Sequence, residues 1–176
     1  GQFTEPIVRA VAANTSQPII MPLSNPTSAA EAFPVDIVEW TDNTAIIACG
    51  SPFNDVHPLY REAVPIGQGN NAFIFPGLGA GVMVVGATKI TTNMVMEAGY
   101  AVADYCCQHW PEAKRMYPPV SEMRKVSKVV AKRVALQAVK DGVASDVMPG
   151  ESENSITARV DASFWEPVYP EVRLSK

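Results

Sequence analysis

Two stretches decide the fold: Pro18-Ile19-Ile20-Met21-Pro22-Leu23 and Ala45-Ile46-Ile47-Ala48-Cys49. Each is a short apolar run closed by a breaker, Ser24-Asn25-Pro26 after the first and Gly50-Ser51-Pro52 after the second. Runs of this length between such breakers read as buried strands. Prolines limit the first, because proline has no N–H to give to a ladder. Thr4-Glu5-Pro6 offers a capping hydroxyl, an acid and an early proline, so a helix is expected through Ile7–Ala13. Ala29–Thr41 is expected to be helical in two pieces around Pro34. Helix, strand, helix, strand is the rhythm of an α/β fold, here part of a Rossmann-like parallel sheet with covering helices.

Asn54–Ala72 has no clear periodicity and is rich in Pro, Gly and Asn. Loops of that size are usually functional or disordered. Pro76–Ala87 is apolar almost all round and reads as a buried helix whose Gly77, Gly79 and Gly81 permit close packing. Asn93–Cys107 is a further helix with Met94, Ala98, Ala101 and Tyr105 on one side. After a linker, Pro111–Pro119, Ser121–Asp141 forms a long amphipathic helix with Val126, Val129, Val130, Val134, Leu136 and Ala138 as apolar positions. Arg124, Lys128 and Lys132 form a basic stripe on it, read as a solvated face. Pro149–Lys176 reads as an extended tail lying along a surface through Phe164, Trp165 and Tyr169. The expected division is residues 1–110, the sheet and its helices, and 111–176, a carboxyl-terminal helix and tail.

The 176 residues suffice for one core, and the formal charge of −4 argues against a non-specific nucleic-acid binder. No run of about 18 apolar residues exists to cross a membrane. Gly1-Gln2-Phe3-Thr4-Glu5 has no signal-peptide character and reads like the middle of a longer polypeptide. Cys49, Cys106 and Cys107 cannot all pair within one chain, which fits a reducing, intracellular setting, cytoplasmic or mitochondrial matrix.

Hydrolytic and metal chemistry find little support. There is no Gly-x-Ser-x-Gly, and His57 and His109 read as exposed side chains. Cys106 and Cys107 point about 100° apart on a helix and read as buried small hydrophobes. No cluster of acids looks like a metal cage. Gly67-Gln68-Gly69-Asn70-Asn71-Ala72 matches the spacing of a dinucleotide fingerprint. That motif must open a helix, and Phe73-Ile74-Phe75-Pro76 reads as extended chain, so the match is taken as fortuitous.

The asparagines remain. Asn25 follows the first strand, where open α/β sheets place ligands, and Pro26 biases it to an extended backbone. Asn70 and Asn71 lie in the long loop. An amide donates and accepts yet stays neutral, so it can orient a carboxylate or carboxamide without competing for protons. The plainer alternative is that Asn25 caps a turn and that Asn70-Asn71 supplies left-handed backbone.

Several stretches together resemble the malic enzyme family: Gly1-Gln2-Phe3-Thr4-Glu5, the run from Pro18 through Thr27, Cys49-Gly50-Ser51-Pro52-Phe53, the run from Ile66 through Gly77, and Tyr117-Pro118-Pro119. Malolactic enzymes share much of this pattern. The resemblance implies oxidative decarboxylation of malate to pyruvate, with NAD or NADP and Mg2+ or Mn2+. It also implies that hydride leaves C2, that the metal polarises the keto group as CO2 departs, and that the enolate is then protonated. Asn25 would contact substrate and nicotinamide, Asn70 or Asn71 the malate carboxylate, and Ser24 would line the cofactor site, to which Asn70 and Asn71 also belong. The family's tyrosine and lysine acid–base groups, metal ligands and cofactor loop have no match here. An upstream part of the same enzyme is expected to supply them, within a homo-oligomer, leaving this segment inactive alone. Alternatives are a malolactic enzyme, or an inert nucleotide-binding or assembly domain.

Overall fold

The computed structural model describes residues 1–111, 115–166, 168 and 169. Parts of the expected linker and tail lie outside the described residues. Helix α1 (Glu5–Ala12) begins after Thr4, with Pro6 in its first turn. Thr4 takes the cap position, but its side chain makes no capping hydrogen bond, so the expected hydroxyl cap is absent. Strand β1 (Ile19–Ile20) is shorter than the apolar run around it, as its prolines require. The run stays alongside its neighbour nonetheless: Pro18 and Pro22 carbonyls accept from Ile46 and Gly50 N–H groups.

The expected two-piece helix over 29–41 is corrected. A single 3-10 turn covers Thr27–Ala29, and helix α2 (Pro34–Trp40) starts at the proline. The intervening chain is drawn away from helical geometry because Glu31 turns back to Ser24, accepting from its N–H at 3.1 Å and its hydroxyl at 2.5 Å. Strand β2 (Ile46–Cys49) lies parallel to β1.

The long loop also needs correction, since it contains strand β3 (Ile66–Gln68), parallel to β2 and completing a sheet in the order β1-β2-β3. Sequence alone gave no sign of it, because two of its three residues are Gly67 and Gln68. What makes it a strand is backbone pairing with β2, together with the Asp55 carboxylate accepting from the Ile66 N–H at 3.0 Å. A 3-10 turn, Asn71–Phe73, leads into helix α3 (Phe75–Val84). Helices α4 (Thr92–His109) and α5 (Met123–Lys140) follow the expected periodicity, and Met94, Ala98, Ala101 and Tyr105 are all buried.

The expected extended tail is overturned over Glu153–Ser163, which is helix α6, capped by Ser152. Ile156 and Val160 sink into the core against α5, while Trp165 and Tyr169 beyond the helix are exposed. The basic stripe is likewise not simply solvated. Lys132 pairs with Asp161 at 2.7 Å, and Arg124 and Lys128 pair with Glu166 at 2.9 and 3.4 Å, so the stripe lies along the α6 seam. Nor is α3 apolar and buried all round: its Phe75 and Met83 are exposed, and Gly77, Leu78 and Gly81 are buried.

Two apolar cores result. Val8, Ile20, Ile37, Ile47, Val64 and Ile66 bury the sheet between its strands and α1 and α2. Phe73, Met94, Val126, Val130, Val134 and Val160 belong to the larger helical core. At about 1.5–3 kcal/mol per buried large aliphatic or aromatic side chain, each core is a substantial driving force. No helix among the described residues is long and apolar enough to cross a membrane.

Candidate substrate and nucleotide site

Because all three strands run the same way, their carboxyl ends lie along one edge, and the residues singled out above follow those ends. Ser24 and Asn25 follow β1, Gly50 and Ser51 follow β2, and Gly69, Asn70 and Asn71 follow β3. Gly50 is what lets the first two turns meet. A β-carbon there would run into the Leu23 carbonyl and lie 3.1 Å from the Asn25 amide nitrogen. The buried Ser51 hydroxyl then donates to Asn25 Oδ1 at 2.6 Å, which fixes the orientation of the amide. Asn25 is exposed, and its Nδ2, which lies beside Gly50, makes no hydrogen bond to a described residue.

Asn70 caps the 3-10 turn, its Oδ1 accepting from the Ala72 N–H at 2.9 Å. The Asn71 side chain is exposed and makes no hydrogen bond to a described residue. Both asparagines line a hollow of about 370 Å³ with Leu23, Gly69, Phe73 and Tyr117. Asn25 does not line it. The structure therefore joins Asn25 to Ser51, and Asn70 to Asn71, on one sheet edge, rather than gathering all three around one cavity. The plainer alternative for Asn70, left-handed backbone, does not apply. Its φ is −124°, an extended conformation, although its capping role is real.

The Ser24 hydroxyl is committed to Glu31, whose carboxyl these bonds hold below the usual carboxylate range. Ser51 and Glu31 both escaped the sequence reading. The Gly-Ser-Pro signature was a signal for the first, and nothing local marked the second. The reason given for dismissing Gly67–Ala72 is also overturned, since Phe73 to Pro76 are not extended but pass from a 3-10 turn into α3. Even so, Gly67 lies inside β3 rather than in the turn, and Asn70 already occupies one N–H of the turn.

His57 and His109 are both exposed, and His109 stacks on Tyr105 with ring centroids 4.0 Å apart. Cys106 is buried as expected, but Cys107 is exposed, a correction that follows from its place on the outer face of α4. Burial, and then the nearby Glu31 carboxylate, push the Cys49 thiol up to about 11. Among the described residues no group of three or more His, Cys, Asp or Glu could hold a metal. The exposed, neutral amides at the strand ends fit the carboxamide of a nicotinamide or a carboxylate beside it.

A three-stranded parallel sheet, covered by helices and carrying polar turns at its carboxyl edge, places this chain in the class of Rossmann-like nucleotide-binding domains. A sequence model described as "Malic enzyme, NAD binding domain" matches residues 1–139. The chain belongs to the malic enzyme family, as part of its NAD-binding domain. It is 44% identical over 170 residues to the NAD-dependent malic enzyme of Psychromonas ingrahamii, covering 96% of this chain and 29% of that protein. It is 41% identical over 169 residues to that of Acinetobacter baylyi, with the same coverage. The solved malic enzyme of Entamoeba histolytica superposes with a TM-score of 0.68 at 26% identity, over 92% of this chain and 29% of that one. The chain thus spans under a third of the curated relatives it matches.

Proposed function

We propose that this chain is the NAD-binding part of an enzyme that oxidises malate and releases CO2 to give pyruvate. The carrying observation is the set of neutral amides on one sheet edge of a malic-enzyme NAD-binding domain, with Asn25 oriented by Ser51. The relatives named above are NAD-dependent malic enzymes, which favours NAD over NADP and malic over malolactic chemistry. The acid–base pair and any Mg2+ or Mn2+ ligands belong to sequence outside this chain, and the segment alone is inactive. Residues 1–110 serve as the later part of the nucleotide domain and 111–176 as its carboxyl-terminal helices, in a soluble homo-oligomer.

In this reading NAD, when bound, accepts the hydride from C2 of malate. Asn25 offers its amide N–H groups at the β1 end to substrate and nicotinamide, held by the Ser51 hydroxyl. Asn71, and Asn70 through its own free amide nitrogen, direct the malate carboxylate. Ser24, its O–H donating a hydrogen bond to Glu31, presents only an acceptor to the cofactor. Their contribution is orientation. Neutral donors hold the reacting carbon toward the ring without adding a competing base.

The test uses the complete enzyme, with NADH formation from malate as the readout. Asn25→Ala and Asn71→Ala are each expected to lower kcat/KM roughly 10- to 100-fold, the loss of a hydrogen bond to a charged group. Unchanged kcat/KM in both variants would overturn the assignment.

A further inference from the structure

The segment Arg115-Met116-Tyr117 crosses β3 as a strap, bound at both ends of the strand. At the strand's start, Arg115 pairs with Asp55 at 3.5 Å, and the same carboxylate accepts from the Ile66 N–H. The Arg115 side chain is only 15% exposed, and its carbonyl accepts from the Cys106 thiol at 3.3 Å, so this end is anchored. At the strand's finish, the Tyr117 ring lies over two glycines. Its Cδ2 is 3.5 Å from where a β-carbon on Gly67 would sit, and its Cε2 is 3.6 Å from the same point on Gly69. The ring also stacks on Phe73, with centroids 6.0 Å apart and planes 23° from parallel.

Phe73 is buried and closes the 3-10 turn that begins at Asn71. The Asn70 and Asn71 side chains are exposed; Asn70 is held only within its own turn, by the Ala72 N–H, and Asn71 makes no hydrogen bond to a described residue, so both point where the turn carries them. The turn is located from behind, through Phe73 wedged against Tyr117. Gly67 and Gly69 present no side chain to the Cδ2–Cε2 edge of the ring. The same ring forms a wall of the hollow that both asparagines line.

We propose that Tyr117 is a positioning residue for substrate: its ring, not its hydroxyl, sets the position of the turn that carries the Asn70 and Asn71 amides. This rests on the assignment of those amides to malate. The experiment compares Tyr117→Leu, Tyr117→Ala and Tyr117→Phe in the complete enzyme, with Asn71→Ala in parallel, reading kcat and malate KM per folded protein. Leucine fills most of the volume but has no ring to stack on Phe73, so it tests position without the large cavity that alanine would leave. Leucine is expected to raise malate KM about tenfold, within what a misplacement of about 1 Å produces. Phenylalanine restores KM to within about twofold, as expected where the stacked ring is what counts. A KM unchanged in the leucine variant, or raised as far by phenylalanine as by leucine, overturns the proposal. If Asn71→Ala raises KM and Tyr117→Leu does not, the positioning role alone fails. If Asn71→Ala also leaves KM unchanged, the substrate assignment fails with it.

Discussion

The Ser51 hydroxyl donates to Asn25 Oδ1 at 2.6 Å, and this bond joins the turns that follow β1 and β2. Ser51 is buried and Asn25 exposed, so an interior group dictates the direction of a surface amide. Replacing Ser51 by alanine leaves Asn25 solvated but unguided. In the complete enzyme Ser51→Ala is expected to lower kcat/KM for malate by roughly 5- to 10-fold, the worth of one neutral hydrogen bond. Steady-state NADH formation measures this, and parity with the unmodified enzyme counts against the orienting role.

Helices α3 and α5 touch through glycine. A β-carbon on Gly77 would lie 2.6 Å from that of Val130, and one on Gly81 would lie 2.9 Å from that of Val134, whereas Gly79 faces open space. Gly77→Ala and Gly81→Ala are each expected to destabilise by about 1–3 kcal/mol through overpacking. Gly79→Ala should be neutral or stabilising by up to about 1 kcal/mol, from helix propensity alone. Urea unfolding of the three variants separates these outcomes. Equal effects at all three positions would refute the packing explanation.

Asp141, at the end of α5, accepts from Thr91 Oγ1, Asn93 Nδ2 and Gln137 Nε2. These bonds, that from Thr91 foremost, hold its carboxyl below the ordinary aspartate value. A depressed folded-state value stabilises the fold above the unfolded-state value of about 4, and the effect is lost as pH falls through the folded-state value. Asp141→Asn is therefore expected to lower the denaturation midpoint at pH 7, with the gap to the parent protein closing between about pH 4 and lower. A gap constant across that range would show that ionisation is irrelevant there.

The cysteines should react in order of access. Cys107 is exposed, while Cys49 and Cys106 are buried and have their thiols raised chiefly by that burial. Thiolate is the reactive form, so iodoacetamide at pH 8 is expected to label Cys107 in the native protein and the other two only after denaturation. Peptide mass analysis gives the order directly. Labelling of native Cys49 at the rate of Cys107 would contradict the burial described.

Much of this was legible along the chain. The apolar runs at 18–23 and 45–49 showed β1 and β2, and periodicity over 93–107 and 121–141 showed α4 and α5, because burial of one face imposes a local pattern. Strand β3 was not legible, since Ile66-Gly67-Gln68 has no such pattern and exists as a strand only through pairing with β2. Helix α6 was hidden behind aromatic and proline-rich neighbours, and its place is set by Ile156 and Val160 meeting α5. The asparagines could be named from their turns, but Ser51 bonding to Asn25 joins residues 26 positions apart.

The residue types at the turns, the apolar faces of the long helices and the family resemblance are written in neighbours close along the chain. Which amide is held by which hydroxyl, where the third strand runs, and that an edge of Tyr117 lies against Gly67 and Gly69 follow from the folded chain alone. Those relationships arise from backbone pairing and shape complementarity between distant segments, and no local pattern encodes them.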